Sequence, residues 1–253
     1  GVAVAADSCM ECHKMQDEER LLAPTRGYAA DIHARRGLGC ASCHGGDPEN
    51  EDISGMDPAR GFIGKPTPSQ TVVMCTRCHS DAVYMKRYKP QPYVFSLAEF
   101  RSSVHAKHLA AGDNKAATCT SCHGVHGILP IKDPRAPVFP TNVPKTCAHC
   151  HNHDYMQGRA LPTDQYDKYV RSVHGKALLE KGDLSAPACN DCHGNHGAAP
   201  PDVHDIAFVC GNCHGREGEM FSASKAKLAL TLGTRRGCVT CHSNHDVELP
   251  DDR

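Results

Sequence analysis

The nine residues Cys189–Gly197, "CNDCHGNHG", hold two cysteines, two histidines and two glycines, and near copies of them occur elsewhere in the chain. One copy, "CTSCHGVHG", begins at Cys119, and a shorter one, "CHSNHD", begins at Cys241. All 16 cysteines of the 253 residues fall in the same pattern, C-x-x-C-H, which occurs eight times. No cysteine lies outside it, so this repeated motif decides the fold.

The chemistry of C-x-x-C-H is specific. Its two thiols lie about one helical turn apart, so both can form thioethers with one haem, and the next histidine can ligate the iron. Zinc sites need four ligands, and a disulfide framework would not keep every cysteine pair at one spacing. The motif therefore predicts eight covalently attached haem c groups. The predicted attachment cysteines are Cys9, Cys12, Cys40, Cys43, Cys75, Cys78, Cys119, Cys122, Cys147, Cys150, Cys189, Cys192, Cys210, Cys213, Cys238 and Cys241. The predicted proximal iron ligands are His13, His44, His79, His123, His151, His193, His214 and His242.

The motifs alternate between two types. The first type reads "CTRCHSDAVYMKR" from Cys75 and "CAHCHNHDYMQGR" from Cys147, and the second type carries the glycine and histidine of "CHGNHG". Strict alternation is typical of an internal repeat. It predicts one haem-packed domain built from four tandem dihaem units, at approximately 1–55, 56–130, 131–200 and 201–253.

Composition predicts where the core comes from. The chain has no Trp, 5% aromatic residues and a mean hydropathy of −0.47, which is poor material for a hydrophobic core. We therefore expect the haems to form the core of a mainly α fold with extensive coil and little or no β structure. Proline-rich stretches, such as residues 130–144, are expected to run extended over the surface as connectors.

Two helices are expected to bridge the haems of the middle units. "SLAEFRSSVHAKHLAAGD" opens with a capping box at Ser96 and stops at Gly112, and "PTDQYDKYVRSVHGKALLEKGD" opens at Thr163 or Asp164 and stops at Gly182. The predicted apolar stripe of the second helix consists of Tyr166, Val170, Val173, Ala177 and Leu178. His174 lies in this stripe and is a candidate iron ligand.

Ten of the 18 histidines are left for the distal positions. The repeat selects two equivalent sets of three, one before the second cysteine pair of a unit and one three residues after a haem histidine. The six predicted distal ligands are His33, His105 and His174 in the first set, and His126, His196 and His245 in the second. His204, in the linker "PPDVHDIAF", is the predicted seventh. The eighth is one of His108, His149 and His153, with His108 taken first. Methionine, another common axial ligand, does not recur at a matching place.

The repeat breaks in the terminal units. Asp47 stands where later units have a distal histidine, and Ser224 stands approximately where His174 lies in its unit. We expect His204 and one surplus histidine to fill the vacancies, and therefore expect little or no binding of carbon monoxide. The alternative leaves one iron open, or held weakly by Lys225 or by a group from another subunit.

The segments "SVHGKALLEKGDLSAPACNDCHGNHG" and "DPRAPVFPTNVPKTCAHCH" resemble those of multihaem c-type cytochromes with paired C-x-x-C-H motifs from respiratory and metal-reducing bacteria and archaea. The resemblance covers residues 30 to 245. It implies bis-histidine, low-spin, low-potential haems in a closely stacked chain. It also implies haem attachment outside the inner membrane, in the periplasm or at the cell surface.

The predicted function is electron transfer by hopping along the haems in anaerobic or extracellular respiration. A conductive filament formed by self-association is one predicted form, and the partners are redox proteins or extracellular acceptors. The alternative is an octahaem oxidoreductase that acts on a small nitrogen or sulfur compound at one open iron, although little sequence is left to build its pocket.

Charge and hydropathy indicate whether a nucleic-acid surface or a membrane span is expected. The formal charge is −1, and the haem propionates would make the loaded protein acidic, so no nucleic-acid surface is expected. No apolar run approaches the roughly 18 residues of a membrane span. Because the sequence begins "GVAVAADSCM", without Met or a signal peptide, a processed, soluble and exported protein is expected.

Overall fold

The computed structural model describes residues 7–159, 161–202, 206–224 and 237–249. These residues form short α-helices joined by turns and coil, and none of them lies in a β-strand. The predicted mainly α, coil-rich fold is therefore confirmed. The helices are α1 (Ser8–Lys14), α2 (Glu19–Tyr28), α3 (Cys40–His44), α4 (Pro68–His79), α5 (Ala82–Lys86), α6 (Leu97–Ser102), α7 (Val104–Ala110), α8 (Cys119–His123), α9 (Val143–Ala148), α10 (Gln165–Arg171), α11 (Val173–Leu179), α12 (Cys189–His193), α13 (Ile206–Gly211), α14 (Gly215–Ala223) and α15 (Val239–His242).

The chain divides into two compact units, Gly1–Val138 and Phe139–Arg253. Each unit contains four of the eight C-x-x-C-H motifs. The division falls within the proline-rich stretch near the predicted start of the third dihaem unit. The single haem-packed domain and its four dihaem units stay predictions.

Motifs of the second type form helices that stop at a glycine. The helices α3, α8 and α12 each contain five residues, from the first cysteine to the histidine. The next residues, Gly45, Gly124 and Gly194, have φ angles of 70°, 89° and 81°. Glycine enters this left-handed region without the steric cost that a Cβ imposes. The "CHG" triplet thus ends the helix directly after the haem histidine.

The first-type motif at Cys75 lies at the end of a longer helix, α4, whose first turn carries strong helix-starting signals. Thr67 and Gln70 form a capping box at the start of α4, and Pro68 occupies its first turn. This helix then continues through Cys75 and Cys78. The residue after its histidine, Ser80, keeps a helical backbone, with φ −92°.

The two predicted bridging helices are each broken into two, which corrects the expectation of continuous helices. α6 and α7 meet at Ser103, and α10 and α11 meet at Ser172; both serines have extended backbones. Each serine side chain accepts a hydrogen bond at 3.0 Å, from the backbone N–H of Ala106 or Gly175. A serine that caps a new helix competes with continuation of the old one, and this explains the break.

The break also corrects the predicted apolar stripe. Tyr169 and Leu178, together with Ala188, form the buried cluster of this region, whereas Tyr166 and Val170 are only half-buried. The prediction carried a single helical period through Ser172, and the kink shifts the faces of α10 relative to α11.

The polypeptide has little hydrophobic core of its own. Among the described residues, eight hydrophobic side chains are buried. They are Met10, Val72, Ala106, Ala136, Met156, Tyr169, Leu178 and Ala188. A chain of this length normally buries far more apolar surface, so another apolar group must complete the core.

The proline-rich stretch is folded, not extended as predicted. Asp133 donates its backbone N–H to the Pro130 carbonyl at 2.8 Å, and Ala136 does the same to Asp133 at 2.9 Å. Ala136 is 1% exposed. Consecutive turns satisfy the backbone between prolines, and an extended chain would leave those groups to water. In the described part of the chain, no helix is long and apolar enough to cross a membrane.

Candidate haem sites

The first cysteines of successive motifs touch one another. In three of the predicted dihaem units, hydrogen-bonding contact joins the two first cysteines of the unit: Cys75 with Cys119, Cys147 with Cys189, and Cys210 with Cys238. In the remaining unit, Cys9 and Cys40 interact electrostatically, and Asp7 accepts a hydrogen bond from the Cys40 backbone at 3.0 Å. The two attachment sites of each predicted unit therefore lie side by side.

Helix packing explains this contact. α1 packs on α3, α4 on α8, and α9 on α12, so the motif helices of each pair are in direct contact. Burial raises the pKa of Cys40 to about 12. The hydrogen bonds with Cys75 and Cys147 have the opposite effect on their partners, lowering the pKa of Cys119 to about 7 and also lowering that of Cys189. Among the described residues, no group of three or more His, Cys, Asp or Glu side chains could hold a metal ion.

Several predicted proximal histidines have one ring nitrogen fixed by a backbone carbonyl. The Nδ1 atom of His13 lies 3.0 Å from the Leu21 oxygen, that of His44 lies 3.0 Å from the Ile63 oxygen, and that of His193 lies 3.2 Å from the Ala199 oxygen. An Nδ1–H donor of this kind sets the tautomer and leaves Nε2 available for iron.

Four predicted proximal histidines each face a predicted distal histidine. The ring-centroid distances are 6.0 Å, 6.1 Å, 6.1 Å and 5.8 Å for the pairs His33–His79, His44–His126, His174–His214 and His193–His245. Metal–imidazole bonds of about 2.0–2.1 Å place two imidazole centroids roughly 6 Å apart when they flank one metal ion. The four pairs therefore fit an iron between their rings, as haem requires.

The angles between the ring planes differ. His193 and His245 are nearly parallel, at 9°, and His44 and His126 are at 24°. His33 and His79 are nearly perpendicular, at 84°. Ring orientation therefore differs from site to site.

Burial favours the neutral form of three of these eight imidazoles. Desolvation lowers the pKa of His126, His174 and His245, and in each case the facing histidine lowers it further. A neutral imidazole has the free nitrogen lone pair that iron ligation needs.

Two backbone hydrogen bonds hold the distal histidines in place. Ile32, next to His33, donates its N–H to the Ile128 carbonyl at 2.7 Å. Val173, next to His174, donates to the Val247 carbonyl at 2.9 Å in the same way. Each bond ties the segment before one distal histidine to the loop that carries the other. In the first case, Gly127 lets the loop approach α2, because a Cβ on Gly127 would lie 3.1 Å from the Gly27 Cα.

Asp31 is a site residue that the sequence reasoning missed. It is 7% exposed, and its Oδ1 lies 2.8 Å from the backbone N–H and 3.0 Å from the Nδ1 of His33. Its Oδ2 accepts a hydrogen bond from the Ile128 N–H at 2.8 Å. One carboxylate therefore orients His33 and anchors the loop of His126. Its position in the repeat was the available signal: Asp31 lies two residues before His33, where units two and three have Ser103 and Ser172 before their own histidines.

Second cysteines lie near one another at two of the boundaries between predicted units. Cys43 interacts electrostatically with Cys78, and Cys192 with Cys213. First cysteines are neighbours within a unit and second cysteines between units. Within each compact unit, motifs that are adjacent in sequence are thus neighbours in space.

The other predicted ligands are placed as follows. His105 lies in the first turn of α7 and His196 in the loop after α12, and both are half-buried. His108 and His149 are exposed, and the His153 side chain is 82% exposed. His204 and Lys225 lie outside the described residues, whereas Ser224 follows α14.

Comparison with known proteins agrees with this chemistry. A family model described as Cytochrome c3 matches residues 32–152. The chain is 26% identical over 218 residues to multiheme cytochrome MtrA of Shewanella baltica, which covers 81% of this chain and 52% of MtrA. It is 25% identical over 181 residues to C-type polyheme cytochrome OmcC of Geobacter sulfurreducens, which covers 62% of this chain and 22% of OmcC.

C-type polyheme cytochrome OmcB of Geobacter sulfurreducens is also 25% identical, over 221 residues, or 76% of this chain and 26% of OmcB. The chain therefore spans between about a fifth and a half of the length of these relatives. No solved structure matches it.

Proposed function

We propose that this chain, a multihaem c-type cytochrome, carries electrons by hopping along eight haems that follow one another in sequence order within each compact unit. The observation that carries the proposal is the alternating proximity of first cysteines within predicted units and of second cysteines between them. Thioether attachment fixes each macrocycle to its cysteines, so contact between cysteines favours contact between macrocycles. Electron transfer needs such proximity and no breaking of protein bonds.

The histidines determine how well each site would work. When bound, haem supplies a reversible one-electron iron couple. Two facing imidazoles keep the coordination number the same in both oxidation states, which keeps the structural rearrangement small. The carbonyls that fix Nδ1 of His13, His44 and His193, and the carboxylate of Asp31, adjust the basicity of individual ligands. Because the hydrogen-bond partner of Nδ1 differs from one histidine to the next, the reduction potentials of the haems should differ along the chain.

The relatives support a carrier more than an enzyme. Their names describe cytochromes with several haems. Redox proteins or extracellular acceptors are the proposed partners. An exported location is also proposed, because the C-x-x-C-H motifs resemble those of exported c-type cytochromes. Negative-stain microscopy of the purified protein tests the form of assembly: uniform filaments support a conductive polymer, and isolated particles support a shuttle.

Haem counting tests the proposal at its foundation. Pyridine haemochrome analysis should give eight haems per chain, and EPR of the ferric protein should be dominated by low-spin iron. A count of six or fewer, or a dominant high-spin signal, contradicts the octahaem bis-histidine proposal.

Hopping itself is tested by pulse radiolysis. An electron deposited on the protein should redistribute among the haems at a rate independent of protein concentration. The double variant Cys75→Ala/Cys78→Ala, which removes the third haem, should slow this redistribution. A rate proportional to protein concentration would show exchange between molecules and argue against a path within the chain.

A further inference from the structure

One carboxylate lies between the attachment sites of the first two motifs. Asp7 directly precedes helix α1, and its Oδ1 accepts a hydrogen bond from the Met10 N–H at 3.3 Å. Its Oδ2 accepts another from the N–H of Cys40, the first residue of α3, at 3.0 Å. The starts of two different attachment helices are therefore held by the same side chain.

The same carboxylate also reaches both first cysteines. The Cys9 and Cys40 side chains each hydrogen-bond with Asp7, and after burial its negative charge is the next cause of the raised pKa of both thiols. Haem attachment converts these thiols to thioethers, which have no hydrogen to donate. The bonds from Met10 and Cys40 come from the backbone and do not involve sulfur, so they hold the carboxylate at this place when haem is attached.

The start of helix α1 explains how Asp7 comes to face inward. The residue two places before the first cysteine is Asp7 in the first motif, and Val73, Lys145 and Phe208 in the other first-type motifs. The last three lie within helices α4, α9 and α13 and are exposed. α1 begins only at Ser8, so Asp7 has an extended backbone, with φ −108°, and its side chain bends back over the helix start.

Gly39 leaves room for the carboxylate. A Cβ on Gly39 would lie 2.6 Å from the Asp7 Oδ2, which is too close for atoms that are not bonded. The corresponding residues of units two and three are Thr118 and Ala188. The Gly39 backbone is extended, with φ −82° and ψ −175°, so alanine there would cause no backbone strain. Its cost would come from displacing Asp7.

Asp191 also lies near a first cysteine, but it serves a single motif. It accepts the Ala188 N–H at 2.7 Å, at the start of its own helix α12. Its charge acts on Cys189 and Cys192, which belong to the same C-x-x-C-H motif. Asp7 differs because it contacts two motifs.

We propose that Asp7 is a positioning residue of the first haem pair, whose carboxylate fixes the two attachment helices to each other and keeps a negative charge between the two haems. The inference rests on the proposed function, since it requires haems at the first two motifs. A nearby negative charge favours ferric over ferrous iron, so it lowers the reduction potentials of both haems. An electron on this pair therefore passes more readily to haems that lack such a charge.

Potentiometric titration of the loaded protein, followed in the visible spectrum, tests the charge. Asp7→Asn keeps a side-chain oxygen as acceptor but removes the charge, so about a quarter of the titration, two of the eight proposed haems, should move to a more positive potential. Asp17→Asn is the charge-matched control, because Asp17 is exposed in the same compact unit. An unchanged curve in Asp7→Asn, or an equal shift in the control, would overturn the inference.

A double-mutant cycle tests the contact without reference to potential. Asp7→Ala should lower the midpoint of thermal unfolding, and Gly39→Ala should also lower it, because the added methyl group displaces the carboxylate. In the double variant Asp7→Ala/Gly39→Ala, the second change should cost little or nothing further. Additive losses would overturn the positioning role and leave the electron carrier intact. A haem count below eight in the parent protein contradicts the proposed function, and the cycle then still decides whether Asp7 joins the two helices.

Discussion

At the residue scale, haem sites with the same two histidine ligands differ in the groups that hydrogen-bond the Nδ1 atoms of those histidines. Asp31 is the clearest case, because a buried carboxylate lies against the Nδ1 atom of His33 while its equivalents, Ser103 and Ser172, only cap a helix. A carboxylate partner makes an imidazole a stronger electron donor and favours ferric iron. We therefore expect the haem between His33 and His79 to have one of the lowest potentials in the chain.

Replacing Asp31→Asn tests this role. The variant removes the negative charge and should move about one eighth of the spectroelectrochemical titration to a more positive potential. It should also lower the stability by about 1–3 kcal/mol, because the amide cannot accept from both His33 and Ile128 as the carboxylate does. Asp154→Asn is the control, since Asp154 contacts His153 at 3.3 Å but is fully exposed. A titration that is unchanged by Asp31→Asn, or equally changed by the control, would refute the assignment.

Ser243 shows what the motif gains from its glycine. It follows His242 with a φ angle of 60°, where Gly45, Gly124 and Gly194 follow the other second-type histidines. A side chain in this left-handed region is strained by about 1 kcal/mol. Its hydroxyl bonds the Asp246 carboxylate, which is solvent-exposed and compensates little.

We expect Ser243→Gly to raise the free energy of unfolding by about 0.5–1 kcal/mol. Lys14→Gly is the matched control, because Lys14 also follows a haem histidine but lies within helix α1. There glycine should cost about 0.5–1 kcal/mol. Guanidinium titrations of the loaded proteins, followed by the visible spectrum, measure both, and equal effects of the two changes would contradict the backbone explanation.

At the scale of elements, the kink between α10 and α11 depends on close backbone approach. A Cβ on Gly175 would lie 1.9 Å from the Tyr169 carbonyl oxygen, so the two helices would have to separate. We expect Gly175→Ala to destabilise the protein by about 1–3 kcal/mol, which thermal unfolding should detect. Ala106→Gly, at the equivalent position of α7, should cost only about 0.5–1 kcal/mol. A Gly175→Ala variant as stable as the parent would mean that the kink does not depend on this contact.

The sequence predicted where these elements lie better than how they bend. Gly112 and Gly182 follow α7 and α11 with positive φ angles, as expected. Asp164 precedes the first residue of α10, but its side chain pairs with Lys168 at 2.8 Å and makes no capping hydrogen bond. The breaks at Ser103 and Ser172 were missed because a serine inside an amphipathic pattern has no periodic signal. Its effect depends on whether the side chain caps the next turn or faces solvent. The pairing of distal with proximal histidines was also beyond the sequence, because it depends on contacts between distant segments.

His174 tests the delivery of a ligand by such an element. It lies in the first turn of α11, and its ring faces that of His214 at 6.1 Å. We expect His174→Ala to convert one haem to five-coordinate iron, because the kink holds the His174 ring opposite His214. EPR should then show a new high-spin feature. His153→Ala, which removes an exposed histidine, should leave the spectrum unchanged, and an unchanged spectrum in His174→Ala would remove His174 from the ligand set.

At the scale of the whole molecule, each facing histidine pair joins two predicted dihaem units, and this couples folding to haem binding. His33 and His126 belong to different predicted dihaem units, and so do His174 and His245. Each ligation therefore joins two segments that hydrogen bonds such as Ile32 to Ile128 also hold together. Loss of one iron would weaken a joint as well as a site.

The apoprotein should accordingly lack cooperative structure. Eight buried hydrophobic side chains among the described residues are too few to offset the conformational entropy of ordering the chain, which is about 1–2 kcal/mol per residue for the backbone alone. We expect chain produced without haem attachment to show reduced helical circular dichroism and no sharp thermal transition, whereas the loaded protein should unfold cooperatively. Hydrogen exchange should show amide protection in the loaded protein near α11 and near Ile128, where the ligands cross, and little protection at the same amides without haem. A cooperative transition in the haem-free chain would mean that the polypeptide carries its own core and that the haems are added to a fold already formed.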